Sequence, residues 1–190
     1  MRNSGHRLGA SGTNLENTLE GLRISINKID GDFKYWEFDI RESSDGIVLV
    51  FHDDVIEING ELVELSKMTF EEIKEAGSKL KISIPTFDEV VDELKHRREK
   101  VMVEIKEIFT DKARYEIINT VSELNDWKVM ATPKRFEKSF PIESRKFWYQ
   151  EFDNQGVEIV RVGRHKINLF KASESWLKWL LTKPKWLFGF

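Results

Sequence analysis

Residues 35–40, Tyr35-Trp36-Glu37-Phe38-Asp39-Ile40, alternate between bulky and acidic side chains. Successive side chains of a strand point to opposite faces, so the spacing predicts a strand with Trp36, Phe38 and Ile40 on one face and Tyr35, Glu37 and Asp39 on the other. Two carboxylates then stand side by side. Like charges held that close in a partly buried place are costly, and they persist where a cation or a strong donor offsets them. Either that face is open to water or something positive binds there.

Working outward, Val101 to Lys106 (VMVEIK) repeats the pattern, with Met102, Glu104 and Lys106 on one face and Val101, Val103 and Ile105 on the other. Upstream, Leu15, Leu19, Leu22, Ile26 and Ile29 form one face of a helix from about Glu16 to Ile29. Ser44-Asp45-Gly46 turns the chain into a second apolar strand, Ile47 to His52, and Asn59-Gly60 marks a hairpin between VIEI and ELVEL. Thr69 with Glu72, and Thr86 with Glu89 behind Pro85, have the spacing of helix-starting capping boxes. Asp111 to Leu124 fits a helix and Trp127 to Ala131 a strand. Strands alternating with helices predict an α/β fold with a parallel sheet, and the pattern alone leaves barrel and open sheet undecided. Further on, KFWYQEF and VEIVRV read as strands, and SESWLKWLLTKPKWLF as a short helix stopped by Pro184.

The chain of 190 residues is long enough for one sizeable core, so a single domain over 1–190 is expected. Lacking cysteine, it has no thiolate metal site and no cysteine nucleophile. The N-terminus carries no apolar signal run, and a cytoplasmic protein is the simplest expectation. Charge is uneven: residues 1–126 hold 17 Lys and Arg against 27 Asp and Glu, whereas 127–190 hold 13 against 6. The two parts should attract each other, or the basic part offers a surface to phosphate, membrane or nucleic acid. The aromatic, basic C-terminus suits either a membrane surface or a helix closing on the domain.

In a closed parallel barrel the polar faces of both strands point inward near the usual site, and Glu37, Asp39 and Glu104 converge there. Three carboxylates without cysteine suit a hard divalent ion, Mg²⁺ or Ca²⁺. His6, in GHRLGASG, and His52, ending the strand in FHDD, are candidates for proton transfer near neutral pH. His96, in KHRR, reads as a surface cation at a helix end, and His165, in VGRHK, as loop.

Taken in order, GHR (His6, Arg7), LENTL (Glu16, Asn17), EFD (Glu37, Asp39), DGIVLVFHD (His52), IPTFDEV and VEIK (Glu104, Lys106) resemble the glycerophosphodiester phosphodiesterase family, over Gly5 to Lys106. The resemblance implies a TIM barrel, (β/α)8-like, that hydrolyses glycerophosphodiesters to an alcohol and sn-glycerol 3-phosphate. It implies that Glu37, Asp39 and Glu104 hold a divalent metal, with His6 and His52 as an acid and base pair and Arg7 and Lys106 on the phosphate. Glu16 and Asn17 fit a supporting shell. Rival expectations are a phospholipase D-like lyase acting on lipid headgroups, which would give the Trp-rich C-terminus a membrane role, and an inactive metal- and phosphate-binding relative.

Two departures stand out. The family's usual HRG is here His6-Arg7-Leu8, where the glycine would allow a tight turn. Only 84 residues follow Lys106, against the roughly 120 that four further βα units of about 30 residues need. The expectation is therefore a barrel shortened or irregular in its C-terminal half, its open edge covered by the tail or by a second copy in a homodimer.

Overall fold

Thr18 caps the first helix, its hydroxyl accepting from Gly21 N, and the computed structural model places α1 at Leu19–Ile26. It describes residues 3–161 and 167–168. The helix is shorter than the apolar spacing suggests because Asn17, at φ 59°, breaks the turn before it. The alternating stretch is the strand β1 (Trp36–Glu42), buried along its length. β2 (Val48–Val50) returns beside it, and β3 (Val55–Ile58) and β4 (Glu61–Glu64) form the hairpin expected at Asn59-Gly60. α2 (Phe70–Lys79) and α3 (Phe87–Leu94) start at Thr69 and Thr86, each with both reciprocal bonds of a capping box. Then come β5 (Val101–Glu107), α4 (Asp111–Ser122), β6 (Trp127–Ala131), α5 (Pro133–Ser139), α6 (Arg145–Asn154), β7 (Ile159–Arg161) and β8 (Ile167–Asn168).

The main sheet runs β2-β1-β5-β6-β7-β8. β1, β5, β6 and β7 are parallel, as the strand and helix alternation predicts. β2 and β8 instead pair antiparallel with β1 and β7. A tight turn joins β1 to β2, and a chain reversing over so few residues can only pair antiparallel. Residues 5–8 also lie along β1, Glu37 N donating to Gly5 O at 2.9 Å and Leu8 N to Glu37 O at 2.8 Å. That approach is close enough that a Cβ on Gly5 would come within 2.1 Å of Tyr35 O. Among the described residues the sheet does not close, which fits a shortened barrel, since closure takes about eight tilted strands.

The apolar face of β1 (Trp36, Phe38, Ile40) joins Val101, Val103, Ile105, Val129 and Ile159 in one buried core beneath the helices. A smaller core of Leu49, Ile56, Leu65, Met68, Ile73 and Ile84 supports the hairpin and α2. KFWYQEF is helical, not extended: Trp148 and Phe152, four residues apart, are both buried on one face of α6. Among the described residues two ion pairs tie the basic part to the acidic one, Arg135 with Asp54 and Lys138 with Glu107. His165 and the Trp-rich segment from Ser173 lie outside the described residues. Among the described residues no helix is long and apolar enough to cross a membrane.

Candidate functional site

Parallel register sets Asp39 directly beside Glu104, and strand alternation sets Glu37 on the same face two residues earlier. The three carboxylates offer oxygens that all lie within 4.8 Å of one another, and all three residues are buried. Their other partners come from the N-terminal loop. Asn17 Nδ2 donates to Asp39 Oδ2 at 2.7 Å, and Arg7 N donates to Glu37 Oε2 at 2.9 Å. Lys106, which follows Glu104 on the same face of β5, bridges Asp39 Oδ1 at 2.9 Å and Glu104 Oε1 at 2.8 Å.

Glu37 Oε1 is left buried with no hydrogen-bond partner. Burial first, and the Asp39 charge next, push the Glu37 carboxyl up to about 8. Lys106 moves the other way in its balance: burial disfavours its charge, but Asp39 and Glu104 outweigh that and raise its pKa above the ordinary lysine value. Asp39 Oδ1 makes no well-angled hydrogen bond, yet Lys106 Nζ lies 2.9 Å away, so Glu37 is the carboxylate whose charge is uncompensated. A divalent cation fits this set of oxygens, because it would take the orphaned Glu37 oxygen and complete the charge balance that one ammonium leaves unfinished.

His6 reaches the same cluster, with Nε2 3.6 Å from Glu37 Oε2 and Nδ1 2.9 Å from Ser11 Oγ. Burial, followed by the neighbouring Arg7 charge, lowers its pKa below the usual histidine value. Arg7 Nη1 is held by Glu16 Oε1 at 2.6 Å, while Nε lies 3.8 Å from Asp39 Oδ2. Arg7, Leu8 and Gly9 all have positive φ, 52°, 57° and 79°. Consecutive left-handed residues make one tight turn, closed by Gly9 N to His6 O and Ala10 N to Arg7 O. Leu8 thus adopts the conformation glycine favours, and its side chain is fully buried. Leu8 thereby adds apolar packing to the turn in exchange for backbone strain.

His52 follows β2, on a loop anchored where Phe51 N donates to Asp39 O at 3.0 Å. Its Nδ1 lies 2.6 Å from Asp53 Oδ1, which orients the ring. The structure therefore brings Glu37, Asp39, Glu104, Lys106, His6, Arg7, Glu16 and Asn17 together and tethers the His52 loop to the same strand. His96 is apart, next to the C-terminal cap of α3. A cavity of about 300 Å³ lies beside α1, lined by Leu15, Ile24 and Trp36 among others, and none of Glu37, Asp39 and Glu104 lines it.

Sequence reading missed Arg41, Asp54 and Arg135. Arg41 was discoverable, since it continues the alternation Glu37, Asp39, Arg41 on the polar face of β1. α5, which carries Arg135, was also signalled, by Thr132 as a capping residue and Pro133 at the first helical position.

A family model described as the glycerophosphoryl diester phosphodiesterase family matches residues 6–152. The solved structure of a glycerophosphoryl diester phosphodiesterase from Parabacteroides distasonis is similar with a TM-score of 0.60 and 18% identity, covering 92% of this chain and 59% of that one. The glycerophosphodiester phosphodiesterase from Thermotoga maritima has a TM-score of 0.54 and 25% identity, covering 80% of this chain and 66% of that one. The match thus spans less than two thirds of the length of each of these relatives. No curated protein matches the sequence.

Proposed function

Because the chain belongs to the glycerophosphoryl diester phosphodiesterase family, we propose that it is a metal-dependent phosphodiesterase, hydrolysing glycerophosphodiesters to sn-glycerol 3-phosphate and an alcohol. The observation that carries this reading is the buried cluster of Glu37, Asp39 and Glu104, in which Glu37 Oε1 is left unpartnered while Oε2 lies 3.6 Å from His6 Nε2. Glu37, Asp39 and Glu104 would hold the ion, Mg²⁺ or Ca²⁺. When bound, it supplies Lewis-acid polarisation and lowers the pKa of an attacking hydroxyl.

The chain's own residues do the rest. Arg7 and Lys106, both already held by carboxylates, present fixed positive charge to the phosphoryl oxygens as negative charge grows on them. Their pairing with Glu16, and with Asp39 and Glu104, keeps them in place before substrate arrives, so little reorganisation is needed. His6 and His52 move the protons: one accepts from the nucleophile, the other donates to the leaving alkoxide. Ser11 orients the His6 ring and Asp53 the His52 ring, leaving Nε2 of each as the reactive nitrogen. Asn17 fixes Asp39 from behind, as a supporting residue would.

The test is release of glycerol 3-phosphate from glycerophosphocholine and glycerophosphoethanolamine with Mg²⁺, Ca²⁺ or EDTA, using wild type and folded Glu37→Gln and His52→Ala variants. Turnover abolished by EDTA and by both substitutions is expected. Turnover that survives EDTA and Glu37→Gln would remove the metal from the reading, and metal binding without any turnover would favour the binding-module alternative.

A further inference from the structure

The polar row on β1 ends in a cation. Arg41 follows Glu37 and Asp39 on the same face and is among the largest fully buried side chains, 1% exposed. A buried guanidinium is costly unless its donors are satisfied, so its partners reveal what it is for. Nε and Nη2 both donate to the main-chain carbonyl of His52, at 3.3 and 2.7 Å. Nη2 also pairs with Asp54, and Nη1 lies 3.4 Å from Glu107 Oε2 on β5. Of the three acceptors, two belong to the loop of residues 52–54.

Asp54 is shared. Its Oδ1 also receives Arg135 Nη1 from α5 at 2.8 Å, and Arg135 Nη1 lies 3.5 Å from Lys106 O. Glu107 is shared in the same way with Lys138 of α5. Three cations and two carboxylates therefore join β1, the His52 loop, β5 and α5, and Arg41 is at the centre. Asp53 fixes the His52 ring, but only Arg41 fixes its carbonyl among the described residues.

We propose that Arg41 is a positioning residue for His52, and that Asp54, gripped by Arg41 and Arg135 together, is the clasp that holds the His52 loop against the sheet. The contacts of Arg41 are with His52 O, Asp54 and Glu107 rather than with Glu37, Asp39 or Glu104, so it acts through the main chain of the histidine. This rests on the assignment of His52 to proton transfer. A positioning residue should affect the rate of the chemical step while leaving ground-state binding alone, because the side-chain contacts that hold Glu37, Asp39, Glu104, Arg7 and Lys106 include neither Arg41 nor Asp54.

The experiment compares wild type with Asp54→Asn, Arg41→Lys and the double variant. Asp54 is half exposed, so Asp54→Asn keeps the proposal testable if Arg41→Lys fails to fold. Three readouts are taken: kcat and KM on glycerophosphocholine, the Kd for Ca²⁺ or Mg²⁺, and amide hydrogen exchange at residues 51–55. Expected are a fall in kcat of about 10–100-fold in each single variant, KM and metal Kd within about twofold of wild type, and a double variant no worse than Arg41→Lys alone. Exchange at 52–54 should quicken while that of β5 is unchanged. If wild type is active and Asp54→Asn keeps full kcat, or if KM and metal affinity change as much as kcat, the positioning role is overturned. If wild type shows no turnover, the function reading fails separately, and unaltered exchange at 52–54 in the variants would overturn the clasp on its own.

Discussion

Glu37 makes the metal-free protein sensitive to pH in a direction opposite to that of most carboxylates. Its folded pKa of about 8 lies above the ordinary 4.5, so between these values the folded state keeps a proton that the unfolded chain has lost. Stability from this group is complete below about pH 4.5 and declines as pH rises to about 8. At about 1.36 kcal/mol per pH unit the interval is worth at most on the order of 5 kcal/mol. The assay is urea denaturation in EDTA at pH 5, 6, 7 and 8, on wild type and Glu37→Gln. Wild type should lose several kcal/mol more than Glu37→Gln across that range, and Ca²⁺ or Mg²⁺ at pH 8 should restore what was lost. His6, whose pKa is lowered by burial, works in the opposite direction, but it is present in both proteins and cancels in the comparison. Parallel pH profiles for the two proteins would refute the claim that Glu37 is the uncompensated charge.

Metal affinity, followed by isothermal titration, should strengthen between pH 6 and 8 with release of close to one proton per ion bound; a pH-independent Kd would mean Glu37 is not a ligand. His52→Ala should lower kcat about 10²–10⁴-fold without weakening ion binding, and a matching loss of Ca²⁺ affinity would show the histidine to be part of the metal site instead. In Leu8→Gly, relief of about 1–2 kcal/mol of left-handed strain competes with loss of a buried side chain worth about 2–5 kcal/mol. The melting temperature should therefore fall, and a rise would show that strain dominates. Thr86→Ala removes the hydroxyl that accepts from Glu89 N at the start of α3, while the backbone N–H that donates to the Glu89 carboxylate stays, and should cost about 1 kcal/mol in urea denaturation; no change would mean that this hydroxyl does not support α3.

The carboxylate cluster was legible because strand alternation fixes which side chains share a face. Glu37 with Asp39, and Glu104 with Lys106, could each be paired without knowing the topology. What sequence could not supply was the register that sets Asp39 against Glu104, since register is a property of two strands far apart in the chain. Both capping boxes were readable because they are local. The tight turn at Ser44-Asp45-Gly46 likewise implies the antiparallel return of β2, whereas α6 was not legible, because its aromatic residues have high strand propensity and lie on a helix only where Trp148 and Phe152 have a core to enter. The same alternation puts Arg41 on the polar face of β1, but its partners, all from other elements, could not be read from the sequence.

The seven residues of β1 encode the interior on one side and the chemistry on the other. A slip of one position against β5 would turn Trp36, Phe38 and Ile40 toward the side of Glu104 and Lys106 and thrust Glu37, Asp39 and Arg41 into oil. Correct folding of this strand is thus self-proofreading: a misaligned chain loses its core before it could ever present a faulty site.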